Sequence, residues 1–493
     1  MSVTDVSDQP AEAPAASPPP TRSTNRRSSG LGALLVRLHF YTGVLVAPFL
    51  LVAAVTGLLY TATPQLDQIF YGDKLTVAHA GATAKPLAEQ VAAARAAHPD
   101  GSLMSVIVGD ADATTQVVFS MPELGEKQHT IYVDPYTAEA KGTLTTWWGS
   151  TPATTWLDDL HRNLHLGDLG RYYSEFAASW LWVLALGGLA LWWRRQRGAN
   201  QKARRLLLPD LTARKGVRRT RGWHAATGAW IAVGLLILSA TGLTWSRYAG
   251  GNFDNALTAL DAHQPQLATA LTGGAPAAGG GHHGGSGVGE ASAVDPAAAD
   301  TVLRIARDHG LAGPVEIGIP EDATSAWTVT QVDNTWPVHL DRAAIDPATS
   351  TVVARSNFAD WPLLAQLSKL GIQAHMGRLF GIANQILLAA LALGLLCVIV
   401  WGYRMWWQRR PTRTDRRATV GTPPERGAWQ KLPAWAIAIG VPVVFAIGWT
   451  LPMFGIPLAA FLVIDAIIST ARGRRDQPAP VSPAPVSPAP ADQ

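Results

Sequence analysis

Six long apolar runs divide the chain: Leu34–Tyr60, Phe176–Trp193, Trp223–Trp245, Leu379–Trp401, Leu432–Thr450 and Pro452–Ser469. A helix rises 1.5 Å per residue, so about 20 apolar residues cross the hydrocarbon of a bilayer. Each run therefore predicts a membrane-spanning helix. The last two are separated by a tight Pro/Gly turn and read as a helical hairpin, spanning rather than re-entrant at their length. Between the first and second runs, and again between the third and fourth, the period changes. Within residues 61–175, Pro86–His98 has helical spacing, and strand-like alternation follows at Ser105–Val108, Gln116–Met121 and His129–Val133. Within residues 246–378 the same order recurs, with a helix at Ala297–His309 and strands near Pro314–Ile319, Ala326–Val332 and Val338–Ile345. An Asp-Pro-x-Thr turn, at Asp134 and again at Asp346, closes each set, as Asx residues before proline tend to do. Both long segments thus predict small α+β domains.

The remaining stretches have no periodicity. Residues 1–33 and the Pro-rich 470–493 read as unfolded tails, and the apolar run after the first is too long for a signal peptide. Residues 273–290 form a Gly-rich linker whose His282-His283 pair carries no assignment by itself. Residues 194–222 and 402–431 are basic loops. The predicted fold is a membrane all-α bundle of about six transmembrane helices: two parallel helix-domain-helix repeats plus a C-terminal hairpin (432–450, 452–469).

Charge orients this arrangement. Arg194–Arg221 carries eleven Lys/Arg against one acid, and Gln408–Lys431 seven against two. The long segments Thr61–Ser174 and Arg247–Arg378 each carry seven basic and thirteen acidic residues. Positively charged loops stay in the cytoplasm. Both termini are thus expected inside the cytoplasmic membrane and both α+β domains outside it. Only 15% of residues are charged, against about 25% in soluble domains, while 48% are apolar and nineteen are Trp. That composition argues against a soluble enzyme, a disordered chain and a nucleic-acid partner, and the bilayer becomes the first expected partner. The sole cysteine, Cys397, excludes an intramolecular disulfide and a thiol-ligated metal centre.

The two halves repeat in sequence. At an offset of 185, His39 aligns with His224, Thr42-Gly43 with Thr227-Gly228, and Thr56-Gly57-Leu58 with Thr241-Gly242-Leu243. At an offset of 214, His161 aligns with His375, Gly167 with Gly381, Trp192-Trp193 with Trp406-Trp407 and Arg195 with Arg409. His39 and His224 fall near the cytoplasmic ends of the first and third spans. His161 and His375 are expected at the outer ends of the second and fourth. Ionisable or ligating side chains in a membrane are costly and point to function. Two opposed imidazoles on a helical bundle suit a six-coordinate b-type haem. His39 must pair with His224, and His161 with His375, because partners within one repeat lie near opposite faces. Proton-linked and purely structural roles stand beside the haem reading. His165, four residues after His161, is an alternative outer ligand or a polar neighbour. Gly43, Gly228, Gly167, Gly377 and Gly381 are candidates for close approach of a macrocycle. Arg171, Arg221 and Arg378 could pair with its propionates; Arg37 reads as an interface anchor. His79, His98, His129, His263, His309 and His339 read as solvated surface residues.

The LHxxTG and WHxxTG helix starts at Leu38 and Trp223, the LHRNLHLG and AHMGRLFG segments, and the loops ending VDPYT and IDPAT resemble the PepSY-associated transmembrane family over roughly residues 34–407. That family includes iron-regulated inner-membrane proteins and siderophore-iron reductases. The resemblance implies PepSY-type domains outside the membrane and, as in the reductase members, haem held by transmembrane histidines, carried here onto His39, His161, His224 and His375. Two functions follow. One is a di-haem redox protein passing electrons from a quinol or cytoplasmic reductase to a ferric siderophore outside. The other is a non-enzymatic membrane protein whose PepSY-like domains bind peptides or regulate extracytoplasmic proteases. No P-loop or convincing dinucleotide fingerprint is present, so a nicotinamide donor would need a separate reductase.

Overall fold

The structure, a computed structural model, describes residues 30–78, 83–197, 208–209, 215–271, 295, 297–410 and 432–475. The tails, His79, the linker with His282 and His283, and much of both basic loops lie outside the described residues.

The first four apolar runs form four helices long and apolar enough to cross a membrane: α1 (Gly30–Tyr60), α5 (Gly167–Arg197), α6 (Val217–Leu243) and α10 (Gly381–Gln408). They pack around one apolar seam that includes Val46, Leu50, Trp180, Leu181, Leu235, Leu391 and Leu395. Their outward faces carry exposed side chains such as Leu45, Leu59, Trp230, Val233, Ile386 and Leu393. A helix apolar on both faces has its inner stripe satisfied by neighbours and its outer stripe by lipid, the pattern of a membrane bundle. The chain is a helical membrane protein with a sheet domain attached. The last two runs form shorter apolar helices, α11 (Ala434–Thr450) and α12 (Pro452–Arg475, apolar to Ile468). Their crossing is possible only because Gly448 and Gly455 meet; a Cβ on Gly455 would overlap the Gly448 carbonyl.

The long inter-helix segments do not form two separate domains. Each contributes four strands, β1 (Ser102–Val108), β2 (Thr115–Ser120), β3 (Gln128–Val133) and β4 (Ala140–Thr146) from the first, and β5 (Val315–Gly318), β6 (Trp327–Gln331), β7 (Arg342–Asp346) and β8 (Thr351–Ser356) from the second. They join in one antiparallel sheet of order β4-β3-β2-β1-β5-β6-β7-β8. The junction is β1 against β5, where Val106 pairs with Ile317. A single core of Val106, Phe119, Ile131, Ile317, Trp327 and Ile345 runs through both halves, and helices α3 (Leu87–Ala97) and α8 (Ala298–Asp308) cover it together. Asp300 of α8 accepts hydrogen bonds from Leu87 N at 2.7 Å and Ala88 N at 3.0 Å, satisfying first-turn donors of α3. Each half thus completes the other, which corrects the expectation of two independent domains. The Asp-Pro turns do form as read: Asp134 Oδ1 accepts from Tyr136 N at 2.9 Å, and Asp346 Oδ1 from Ala348 N at 2.9 Å.

Four short helices connect sheet and bundle: α2 (Thr63–Leu75), α4 (Pro152–Asn163), α7 (Tyr248–Ala259) and α9 (Leu363–His375). His161 and His375 lie on α4 and α9 and not on the spanning helices, a second correction. The chain turns between each short helix and the following span at Gly167 (φ 56°) and Gly381 (φ 55°), where an L side chain would be strained.

Candidate functional site

Repeat symmetry gathers the four matched histidines into two pairs at opposite ends of the bundle. At the end away from the sheet, His39 on α1 faces His224 on α6, with ring centroids 6.3 Å apart and planes at 82°. Metal–imidazole bonds are about 2 Å, so two imidazoles on opposite sides of one metal ion have centroids roughly 6 Å apart. At the sheet end, His161 and His375 line one cavity of about 200 Å³ between α1, α5, α6 and α10. Its walls include Leu50, Ala54, Leu181, Leu238, Leu391 and Leu395, with Arg162, Arg171, Asp158 and Glu175 among its polar groups. Along α1, His39 and Thr56 at the cavity are seventeen residues apart, about 25 Å at helical rise.

Three of the four rings turn Nδ1 to a hydrogen-bond partner. His161 Nδ1 lies 2.9 Å from Thr56 Oγ1, and His375 Nδ1 lies 2.8 Å from Thr241 Oγ1. Both hydroxyls already donate to their own helix, Thr56 to the Val52 carbonyl and Thr241 to the Ile237 carbonyl, each at 2.8 Å. A hydroxyl has one proton to give, so towards the imidazole it must accept. The ring therefore carries its proton on Nδ1 and its lone pair on Nε2. In the other pair, His224 Nδ1 lies 2.9 Å from the Val398 carbonyl, which can only accept. The repeat counterpart of Val398 is Leu184, but His39 Nδ1 closes no such hydrogen bond. Among the described residues, Nε2 of none of the four makes a hydrogen bond. Burial pushes His161 and His375 down to about 4, so both are neutral at pH 7. His161 and His375 are thus neutral imidazoles held through Nδ1 and open at Nε2, the state that a metal ligand requires.

Glycine makes room for each ring. A Cβ on Gly57 would lie 3.1 Å from His161 Cε1, and one on Gly242 would lie 3.5 Å from His375 Cε1. Gly188 and Gly402 stand in the same relation to His39 (3.3 Å) and His224 (3.7 Å). The repeated Thr-Gly pairs at 56–57 and 241–242 are thus explained: the threonine aims the histidine and the glycine admits it. The glycines singled out from sequence do other work. Gly167, Gly377 and Gly381 are turn residues with positive φ, and Gly228 has open space before it.

Other candidates separate clearly. His165 does not share a helix face with His161, because α4 ends at Asn163 and Leu164 and His165 both take left-handed conformations. His165 is exposed and packs on Trp156 at 4.9 Å. Arg171 lines the cavity and donates to the Trp245 carbonyl at 2.7 Å. Arg162, which the sequence reading passed over, lines it too. Arg378 is exposed, beside Tyr60 and Asp158. Arg221 stands in a guanidinium cluster with Arg195, Arg218 and Arg409 at the His39–His224 end. Arg37 is no surface anchor: it is buried, ion-paired to Asp465 of α12. Two of the supposed solvated histidines, His98 and His129, are in ring contact.

A family model described as the PepSY-associated TM region matches residues 36–409. The chain belongs to that family. The match runs from just before His39 to the end of α10 and so takes in both histidine pairs, while the α11–α12 hairpin lies beyond it. No characterised protein matches this PepSY-associated transmembrane protein significantly.

Thr56→Val and Thr241→Val keep side-chain shape but strand an imidazole N–H in an apolar wall. Each is expected to lower stability by about 1 kcal/mol, read as a shift in denaturant unfolding in detergent. Thr56→Ser should restore most of it. Loss in the Ser variant with none in Val would show that the methyl group, not the hydroxyl, matters.

Proposed function

We propose that this chain is a di-haem electron-transfer protein of the cytoplasmic membrane that reduces ferric siderophore iron on the sheet-domain side. The observation that carries the reading is the state of the four imidazoles: two pairs at opposite ends of the bundle, three of the rings held through Nδ1 and all four without a hydrogen bond at Nε2 among the described residues. Among the described residues no three His, Cys, Asp or Glu side chains gather as a metal site. Two-imidazole sites suit a cofactor that brings the remaining ligands itself, and haem b does so. His39 and His224 would hold one haem, His161 and His375 the other. Haem, when bound, supplies reversible one-electron exchange.

The protein's own groups do the rest. Leu50, Leu181 and Leu391 give the cavity an apolar wall, and Arg162 and Arg171 offer guanidinium donors to carboxylates. Arg195, Arg221 and Arg409 offer the same at the other end, where they have no carboxylate partner among the described residues. A separation of about 25 Å along α1 explains why two centres are needed. The basic loops favour placing the His39–His224 end and both termini in the cytoplasm, with the sheet domain, read as paired PepSY-like units, outside and the hairpin as two further spans. The electron donor at the inner end is then a quinol or a cytoplasmic reductase. At the outer end, one-electron reduction of iron in a hard-oxygen chelate loosens its ligands.

The purified protein should give a reduced-minus-oxidised b-type spectrum with about two haems per chain. Once reduced, it should be reoxidised within seconds by a ferric siderophore, with Fe(II) trapped by a ferrous chelator. A colourless preparation would instead favour a peptide-binding or protease-regulating membrane protein. A haem that stays reduced in excess ferric siderophore would exclude that acceptor.

A further inference from the structure

We propose that His98 and His129 form a binding site for a divalent first-row transition-metal ion on the sheet domain, independent of the four bundle histidines. The two rings come from elements distant in sequence. His98 is the C-terminal cap of α3, and His129 is the second residue of β3. Their centroids are 4.1 Å apart with planes at 48°. Two imidazoles taking adjacent positions on one ion, with bonds of about 2 Å, have centroids roughly 4.5–5 Å apart, so the rings need part by only a few tenths of an ångström to take one. The opposed pair at 6.3 Å in the bundle does not match that spacing.

One nitrogen of each ring is buried without a hydrogen-bond partner: His98 Nδ1 and His129 Nε2. A buried polar nitrogen without a partner is costly, and one cation between the touching rings would satisfy both. His98 also closes the negative end of the α3 dipole. Burial, together with the neighbouring His98 ring, holds His129 below the usual imidazole range, and Glu123 acts on it from nearby as a negative charge. Arg95, one turn back on α3, is turned to the Gly101 carbonyl and the Phe119 ring.

The other half of the sheet shows what this position accepts. Strand pairing makes Ile131–Thr143 the equivalent of Ala343–Arg355, so Thr143 stands where the second half has Arg355, and His129 stands where it has Asp341. There the Arg355 guanidinium bridges the helix cap and the strand, donating to the His309 carbonyl at 2.8 Å and to Asp341 Oδ2 at 3.4 Å. A resident cation spans the gap in one half. In the first half the arginine is replaced by threonine and two imidazoles converge. Imidazole donors select Cu²⁺, Ni²⁺, Zn²⁺ or Fe²⁺ over Mg²⁺ and Ca²⁺, with water completing the coordination.

The test uses the full-length protein in detergent, titrated with Cu²⁺ under excess Mg²⁺, beside His98→Gln and His129→Gln. His282, His283 and the bundle histidines are unchanged in both variants, so the difference reports this site alone. Wild type should bind one more equivalent of Cu²⁺ than either variant, or bind it at least about tenfold more tightly, with a nitrogen-coordinated copper signal that both variants lose. Zn²⁺ should raise the melting temperature of wild type only. If His129→Gln folds poorly, His98→Gln at the half-buried helix cap carries the comparison. Unchanged copper stoichiometry and affinity in His98→Gln would overturn the site. Because neither residue touches the bundle, the haem content of both variants should equal wild type whichever way the metal result falls.

Discussion

Removing either Arg37 or Asp465 alone is expected to destabilise the protein by about 3–5 kcal/mol, whereas replacing both by leucine should cost far less. The two side chains are 4% and 6% exposed and form a direct ion pair between α1 and α12. The Arg37 guanidinium also lies over the Tyr41 and Phe461 rings, at 5.6 and 5.9 Å. A charge left alone in that setting keeps its full desolvation cost and loses its only strong compensation. A pair of leucines has neither term. The pairing belongs to the first repeat only, since the repeat counterpart of Arg37 is Gly222. It therefore serves the hairpin, which lies beyond the family match, by fixing α12 against α1. Trp180 reinforces the dock, donating to the Met453 carbonyl at 3.1 Å and packing on Phe454 at 5.0 Å. The measurement is unfolding of Arg37→Leu, Asp465→Leu and the double variant in one detergent. A double variant as unstable as the worse single one would show that the pair stabilises the fold outright.

The bundle was legible in sequence because its signal is local. Uninterrupted apolar runs predict spans, and residues such as His39 and His224 fall in register without a gap. The sheet was half legible. β1 to β3 and β5 to β7 alternate strongly enough to be read, but β4 (AKGTLTT) and β8 (TVVARS) are edge strands with exposed polar positions and little apolar pattern. That β1 pairs with β5 lay beyond any local pattern, because Val106 and Ile317 are brought together by two buried faces that each need the other. The histidine register was visible, whereas its supports were not. Thr56 and Gly57 look like ordinary helix-packing residues until His161 is placed against them. The repeat counterpart of His129 is Asp341 and the cap of α8 that matches His98 is His309, so repeated histidines in register could not bring His98 and His129 together. His165 misled because four-residue spacing implies a shared face only if the helix continues, and α4 stops at Asn163.

Replacing His224 by Ala should reduce haem from about two per chain to about one, sparing the spectrum of the sheet-end haem, and His375→Ala should spare the other. The argument rests on depth. His39 and Thr56, which holds His161, are seventeen residues apart on one helix, about 25 Å, so no single group can be shared within a repeat. Facing partners at the same depth must then fail together. His39→Ala combined with His224→Ala should lose no more haem than either alone, while His224→Ala with His375→Ala should lose both. His165→Ala should retain both haems, since that side chain is exposed and packed on Trp156. Loss of the sheet-end haem should also abolish reoxidation by an external ferric chelate, because that centre stands between the His39–His224 end and the sheet domain. Should His39→Ala and His375→Ala deplete the same spectral species, the pairing by depth is wrong. If all four single variants keep two haems, the imidazoles are not the ligands.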